Sequence, residues 1–533
     1  MLRLRRLLTA GLVVGLVLAP VPAAADTPPA EFGTDWHDPL TADPPIQTPP
    51  TRSCRVRIVD AHFQDFTPYR GAYAPPTECA GPWAKVVLSL DGQVAGRQFD
   101  RLGYLNVGGV TVFKTSTPEP SAEGIAWHVE KDVTAYSSLF ARPQPVESLI
   151  GNVVNDTYTG VLHVQAYLTF YTADAGHPAP RGGADDVFGL TGVHAEGTAR
   201  VGGLTVAPNT ERLVAEVYAT GSGGGCEEFW YLTAPPESGY SCPADEGPYR
   251  EVQISVDGVL AGIAAPYPHI YTGGWSNPFL WYVLPAPRAF DIQPVRYDLS
   301  PFAGLLTDGR EHTVSVTVAG VPAGQSGWDL PVTLLGWRDH GSSRVTGSLT
   351  RSVASPLVND SSYADGSDQD SVTTNGAHRL TVSGFVNTSH GRVTTTVARD
   401  LANTSSHRWG AEENPDALTA EWTDREMVTV TGPRVHDVRL ADRRYAIDGA
   451  ISVDEANRLV TTISLTDAAS FVTDGVPVRQ ENAYTGTAGW TLGVPREDRH
   501  ATATTSLHYT LTEPGRRYDR TLTAVNGTLT LNR

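Results

Sequence analysis

Short β-branched segments, broken by glycine, proline and Asp-Gly steps, run through almost the whole chain and leave an all-β fold as the reading. VRIVDAHF, AKVVLSL, VTVFKT, GVLHVQAYLTFY, RLVAEVYAT, EVQISVDG and HTVSVTVAG are short and partly alternating, and Asp91-Gly92 and Asp257-Gly258 read as turns between such strands. One segment alone reads as a helical turn, DVTAYSSLF at 132–140, where Asp132 or Thr134 can cap it. Many short strands with such turns predict stacked β-sandwiches.

The chain opens MLRLRRLLTAGLVVGLVLAPVPAAAD. Arg3, Arg5 and Arg6 precede an apolar core, and Ala23-Ala24-Ala25 follows it, so residues 1–25 read as a secretory signal peptide. No other apolar run reaches the length of a membrane span, and a secreted (extracellular) protein without membrane association is expected. Residues 26–50 are Pro-rich and aperiodic, the mark of a disordered leader. A linker-like PAPRGGADD at 178–186 and a weaker gap DHGSS at 339–343 divide the rest. The expected units are a first β-sandwich at 51–180, a second at 181–340 and an accessory β-domain at 341–533, rich in Thr, Ser, Val and Asp.

Charge excludes one class of partner. The formal net charge of -18 becomes about -21 once the three arginines of the leader peptide are subtracted. A nucleic-acid partner calls for a basic surface, so none is expected. Four cysteines in an exported chain suggest two disulfides, with the local pairs Cys54–Cys79 and Cys226–Cys242 favoured. A zinc site is the competing use, but no C-x-x-C or H-E-x-x-H pattern supports it, and no metal is expected.

Two stretches place acids in unlikely surroundings. GRQFDRLGYLNVGGV, residues 96–110, reads as a buried strand interrupted by Asp100 and Arg101. GSGGGCEEFWYL, residues 221–232, sets Glu227 and Glu228 between a glycine tract and Phe229-Trp230-Tyr231. In an extended segment the two glutamates face opposite ways, so one shares a buried face where desolvation raises its pKa. Two carboxylates in different environments suit general acid/base hydrolysis. Trp275 and Trp281 add flat faces on which sugar rings can stack. The plainer alternatives are an edge salt bridge for Asp100–Arg101 and a core role for the aromatics.

At these residues the sequence resembles the peptide:N-glycosidase A family, the peptide-N4-(N-acetyl-β-glucosaminyl)asparagine amidases. The matching words are GRQFDRLGYLNVGGV, STPEPSAEGIAWHVEKDVTAYSSL, GNVVNDTYTGVLHVQAYLTFY, EEFWY, YREVQISVDG, PYPHIYTGGWSNPFLW and AFDIQPVRYDLSPFAGLLTDGREH. They run in order from about Cys54 to His312. A fainter likeness reaches peptide:N-glycosidase F, whose W-D-R, C-A-E-W-C and P-T-N-T-E words resemble Phe99-Asp100-Arg101, Cys226–Trp230 and Pro208–Glu211.

The resemblance implies two adjacent jelly-roll-like β-sandwiches forming the catalytic unit, followed by the accessory β-domain. It also implies a secreted amidase that cleaves the asparagine–N-acetylglucosamine bond of N-glycopeptides or N-glycoproteins. Asp100 becomes the main catalytic residue and Glu228 its partner, with no cofactor. The third assisting glutamate of the F-type enzymes has no counterpart in GNVVNDTY, where Asn152, Asn155 or Asp156 can stand in. Trp230 occupies the position of the second half-cystine, which directs Cys226 to Cys242. Arg101 and Arg250 are candidate donors to the developing oxyanion, although alternation in a strand turns Arg101 away from Asp100. The expected substrate contacts are Arg101, Asn155, Trp230, Arg250, Trp275 and Trp281, in a monomer. A non-catalytic glycan binder and an endo-type glycoside hydrolase remain as alternatives.

Overall fold

The computed structural model describes residues 31–533 apart from Gly223, Gly224, Ser276, Ser326 and Asp474. The signal-peptide reading therefore lies outside the described residues.

Eight strands build the first sandwich: β1 (Ser53–Phe63), β2 (Tyr69–Tyr73), β3 (Trp83–Val94), β4 (Leu102–Val107), β5 (Val110–Ser116), β6 (Ile125–Asp132), β7 (Gln144–Ile150) and β8 (Leu162–Thr172). They divide into two four-stranded sheets, β1-β8-β3-β6 and β2-β7-β4-β5, the crossed pairing of a jelly roll. Along β8 every second residue from Leu162 to Phe170 is buried, the alternation that one covered face imposes. The 132–140 segment forms a short 3-10 turn and one α-helical turn, with the Asp132 carboxylate accepting from the Thr134 N–H at 3.0 Å.

The second sandwich uses β9 (Asp186–Gly189), β10 (Thr191–Glu196), β11 (Ala199–Leu204), β12 (Thr210–Val217), β13 (Thr220–Gly221), β14 (Glu251–Val256), β15 (Val259–Ala264), β16 (Val295–Asp298), β17 (His312–Ala319), β18 (Trp328–Asp329) and β19 (Val332–Arg338). Its sheets are β10-β11-β17-β14-β15 and β16-β12-β19-β9, with β13 and β18 paired apart. Asp257-Gly258 closes the β14–β15 hairpin with both residues at positive φ, 48° and 77°, as a primed two-residue turn requires. Asp91-Gly92 does not turn. β3 runs straight through it, because Gly92 sits under the Trp127 ring, 2.2 Å from where a Cβ would stand.

The C-terminal part departs from the pattern of short strands. From Thr346 to Asn532 it forms one 11-stranded antiparallel sheet, in which the strands Asp370–Thr388, Gly391–Trp409 and Val435–Val453 are each 19 residues long. One face of this sheet continues the hydrophobic core of the sandwiches: Trp422 meets Trp230 at 5.4 Å, and the rings and side chains of Trp275 and Leu280 fill the hollows over Gly449 and Gly486. All three strand groups share that core.

The Pro-rich leader, expected to be disordered, is instead a docked strap across residues 31–50. It lacks regular structure because its partners lie outside it. Phe32 N–H donates to Ala501 O at 2.6 Å, His37 N–H to Gly527 O at 2.9 Å and Leu40 N–H to Val283 O at 2.9 Å. Phe32 and Trp36 are buried, and Trp36 stacks on Tyr282 at 4.0 Å. Deleting a packed indole costs on the order of 3–5 kcal/mol locally. Trp36→Ala should therefore lower the melting temperature and open residues 31–50 to limited proteolysis; an unchanged digestion pattern would show that the strap is not held by this ring.

Candidate active site

The charge that interrupts the first long word is explained by where the strand begins. β4 starts at Leu102, so Asp100 and Arg101 lie in the approach to it and strand alternation does not bind them. Phe99, an apolar residue expected to be covered, is 47% exposed.

Three backbone segments meet here. Arg101 N–H donates to Thr117 Oγ1 at 3.0 Å, Thr117 N–H returns to Arg101 O at 2.9 Å, and Thr272 Oγ1 donates to Thr117 O at 2.6 Å. Asp100, Glu119 and Gly273 follow or precede these staples by one or two residues, and they converge. A Cβ built on Gly273 would stand 2.6 Å from Asp100 Oδ1 and 3.1 Å from Glu119 Oε1. Both carboxylates thus face one point, and only glycine leaves it open. The Gly273 N–H hydrogen-bonds to the Asp100 carboxylate.

Glu119 escaped sequence reasoning. It sits between Pro118 and Pro120, a setting that reads as a turn, yet residues 111–121 are all buried. The available signal was its position inside STPEPSAEG, part of a long family-like word. Tyr282 hydrogen-bonds to it, and Tyr282 carries the Trp36 of the strap.

Glu228 approaches from the second sandwich. Its segment is not extended, as alternation had suggested, but a run of 3-10 turns over Cys226–Leu232. The Cys226–Cys242 disulfide ties one end of the run, and Cys54–Cys79 closes the first sandwich's edge; both are the expected pairs. Inside the run the two glutamates part company. Glu227 is buried and takes a bidentate bond from Arg250 (Nε to Oε2 2.9 Å, Nη2 to Oε1 2.6 Å) and another from Trp328 Nε1 at 2.6 Å. Glu228 is half-buried, and its negative charge acts on Asp100, Tyr231 and Tyr271.

Electrostatics separates this group from ordinary surface acids. Lost solvation, and then the charge of Glu228, push Asp100 up to about 7, against the pull of the Gly273 N–H and the Arg101 guanidinium. Burial, and then the charge of Asp100, hold Glu119 well above the usual carboxylate range. Like charges in a desolvated site cannot all ionise together. Each protonation state here therefore depends on its neighbours.

Several expected substrate contacts fail on geometry. Arg250 is fully buried, with its donors spent on Glu227, Gly247 O and Tyr249 O, so it is a structural ion pair. Trp230, Trp275 and Trp281 are 2%, 4% and 0% exposed; their faces pack in the core rather than offering themselves to a sugar. Asn155 is exposed, with its Oδ1 accepting from the N–H groups of Thr157 and Tyr158, both at 2.8 Å, and Asn152 is locked by Phe63 O and Gly160 O. Arg101 stays at the site: Nη2 donates to Gln98 Oε1 at 2.5 Å while its buried Nε has no hydrogen-bond partner. The aromatic pair beside Asp100 is Phe99 and Tyr158, with centroids 5.1 Å apart.

Among the described residues, Glu211, Asp339 and His390 bring metal-ligand atoms together. Both Asp339 oxygens already accept from Ser389, and Gly341 N–H adds a bond to Oδ1, which accounts for that carboxylate without a metal. No helix among the described residues is long and apolar enough to cross a membrane.

Comparison with known proteins places this site in a family. The family model for peptide N-acetyl-β-D-glucosaminyl asparaginase amidase A matches residues 44–334. A relative from Prunus dulcis, peptide-N4-(N-acetyl-β-glucosaminyl)asparagine amidase A, is 28% identical over 451 residues, which cover 78% of this chain and 76% of the relative. Among solved structures, PNGase F, a glycosylasparaginase from Flavobacterium meningosepticum, aligns with TM-score 0.35 and 10% identity, covering 54% of this chain and 96% of that one. PNGF-II aligns with TM-score 0.37 and 14% identity over 54% of this chain and 66% of that one. Residues 44–334 span more than half of the sequence and contain Asp100, Glu119, Glu228 and Gly273, and the chain belongs to the peptide N-acetyl-β-D-glucosaminyl asparaginase amidase A family.

Proposed function

We propose that this amidase hydrolyses the bond between an asparagine side chain and the first N-acetylglucosamine of an N-glycopeptide or N-glycoprotein. The products are aspartate and a glycosylamine, which then loses ammonia in water. The observation that carries the reading is the convergence of Asp100 and Glu119 on the open point at Gly273, with the charge of Glu228 acting on Asp100 from the other sandwich.

Asp100 is the base. Water adds its oxygen to the amide carbonyl carbon and gives a proton to the Asp100 carboxylate, whose proton affinity near 7 suits that exchange. Glu228 faces the first sugar and the leaving nitrogen, and the C–N bond breaks as that nitrogen receives the proton that Asp100 took from the water. Glu119, whose hold on its proton is strengthened by burial and then by the charge of Asp100, keeps Asp100 aimed from the other side of the Gly273 gap. The unclaimed Arg101 N–H is the donor available to the developing oxyanion, where one well-placed group contributes about 3–4 kcal/mol. Phe99 and Tyr158 offer the apolar faces first assigned to the buried tryptophans.

We also take the chain as exported, on the signal-like residues 1–25 and on two disulfides that suit an oxidising compartment. A pure binder has no use for carboxylates held against one another. An endo-type glycosidase would leave one sugar on the peptide. Mass spectrometry of a defined N-glycopeptide after incubation decides among them: aspartate at the glycosylation site is expected, whereas a retained N-acetylglucosamine or untouched substrate overturns the proposal.

Asp100→Asn should lower kcat by about 10²–10⁴-fold, the usual share of a positioned base. Its stability should carry a pH signature. The unfolded chain releases this proton near 3.8 and the folded chain holds it to about 7. Stability from this group is thus full below about 4 and is lost as pH rises toward 7. Asp100→Asn removes that loss, so it should melt with the wild type at low pH and above it at neutral pH. A variant that melts lower at neutral pH would contradict the assigned environment.

Gly273→Ala tests the convergence. The new methyl meets two side-chain carboxylates rather than backbone, so the fold should survive while a shift of about 1 Å costs on the order of 100-fold in kcat/KM. Phe99→Ala should raise KM several-fold with kcat nearly unchanged, measured on the same glycopeptide.

A further inference from the structure

The acidic site has a basic flank, built by three arginines from distant parts of the sequence. Arg496 stands over the Trp36 ring of the strap, 5.1 Å from its centroid, and Trp36 stacks on Tyr282, which hydrogen-bonds to Glu119. Arg499 lies 4.5 Å over the Trp490 ring. Arg97 comes from the first sandwich and stands 5.8 Å over Tyr158, the ring that meets Phe99 beside Asp100. The charge of Arg496 acts on Glu119, and Arg499 feels Tyr282, Arg496, Arg97 and Glu119. Backbone bonds hold both loops in place. Arg499 N–H donates to Arg496 O at 3.3 Å across a 3-10 turn, and Arg499 O accepts from Thr491 N–H at 2.8 Å. Arg97 N–H donates to Thr159 Oγ1 at 3.1 Å, and its carbonyl accepts from the Thr159 and Gly160 N–H groups at 2.8 and 3.0 Å.

What these guanidiniums lack is an anion. Acids outnumber bases by 58 to 40 in the sequence, so a base has carboxylates to choose from. Yet among the described residues none of the three forms an ion pair, and Arg499 Nε is buried with no hydrogen-bond partner. Glu497 and Asp498, in the turn itself, are exposed to solvent. Lost solvation holds Arg499 below the usual guanidinium range, and the charges of Arg496 and Arg97 press the same way. Like charges gathered in a partly desolvated place are relieved by a bound anion. A carboxylate meets a guanidinium through two parallel N–H bonds, the best match of shape for such a group.

We propose that Arg97, Arg496 and Arg499 bind a carboxylate on the peptide part of the substrate, either an acidic side chain near the glycosylated asparagine or the peptide's own C-terminus, and so make the site selective for acidic glycopeptides. The charge of Glu228 reaches Asp100, whereas that of Arg496 reaches Glu119. With the first sugar and the leaving nitrogen assigned to the Glu228 side, the arginine side is left for the peptide. That direction rests on the amidase reading, while the anion site itself rests on the three arginines.

The test compares synthetic glycopeptides on the full wild-type chain. The reference has glutamines flanking the glycosylated asparagine, an amidated C-terminus and a neutral glycan. One variant replaces the glutamines with glutamates, a second frees the C-terminal carboxylate, and a third carries a sialylated glycan instead. At least one of the two peptide carboxylates should raise kcat/KM over the reference by about ten-fold, the share of one charge-assisted hydrogen bond, through KM rather than kcat. The gain should shrink as salt is raised. Arg499→Gln should bring the ratio of acidic to reference peptide toward one, and so should Arg97→Gln, an exposed position that serves if the first variant fails to fold. The ratio compares two substrates on one sample, so a partly folded variant still reports. Equal kcat/KM for the acidic and reference peptides, a ratio untouched by both substitutions, or a gain carried only by the sialylated glycan would each overturn the proposal. If no glycopeptide is cleaved, the amidase reading fails, and the Kd ratio of the same peptides by calorimetry decides this proposal by the same criterion.

Discussion

The structure is organised around a repulsion. Asp100 stands between two other carboxyl groups: the charge of Glu228 from the second sandwich raises it, and its own charge raises Glu119, with Asp100 and Glu119 both desolvated. Such an arrangement persists only when the surroundings over-determine it. The Arg101–Thr117–Thr272 staples fix Asp100 and Glu119 to one another and to Gly273, and each staple is a hydrogen bond of 3.0 Å or less. Glu228 belongs to a run anchored through Glu227, the residue before it.

The long C-terminal sheet is part of this restraint and not an appendage. Asn277, four residues beyond Gly273, donates to Thr461 Oγ1 at 3.2 Å and Ala488 O at 3.0 Å, and Tyr484 OH donates to Leu280 O at 2.6 Å. On the Glu228 side, Tyr240 OH donates to Asp416 Oδ2 at 2.7 Å and Ser241 N–H to Glu413 Oε1 at 2.6 Å. Loops that lack strand pairing of their own are thus held from behind by a sheet whose backbone bonds are internally complete. The strap closes the remaining side, from Trp36 through Tyr282 to Glu119.

Much of this was legible in the sequence, and the failures share a cause. The strand words and the disulfide pairs could be read because each rests on local pattern, and the words that single out Asp100 and Glu228 do bring the two into electrostatic reach. Asp91-Gly92, the strap, Trp230, Trp275 and Trp281 were misread because a distant partner decides them. Gly92 is there for the Trp127 ring, not for a turn. The strap is held by partners far along the chain, the Tyr282 ring against Trp36 and the carbonyls of Ala501 and Gly527. The tryptophans that suggested sugar stacking are core, because a sheet that begins only at Thr346 lies over Trp230 and Trp275. Glu119 was hidden by its prolines, which signal a turn but say nothing of what the turn faces.

Glu227 and Glu228 show how the same residue type, one position apart, can serve opposite ends. A buried carboxylate needs partners for its oxygens, and Arg250 meets both of those of Glu227 with one bidentate contact. That pair, with Trp328 on the same oxygen, anchors the 3-10 run from inside. Removing either partner would leave a buried charge uncompensated, a loss of about 3–5 kcal/mol. Glu228, the next residue along, rides on that anchored run and keeps its charge within reach of Asp100. The anchor that holds the fold together here thus also sets where the charge that raises Asp100 stands.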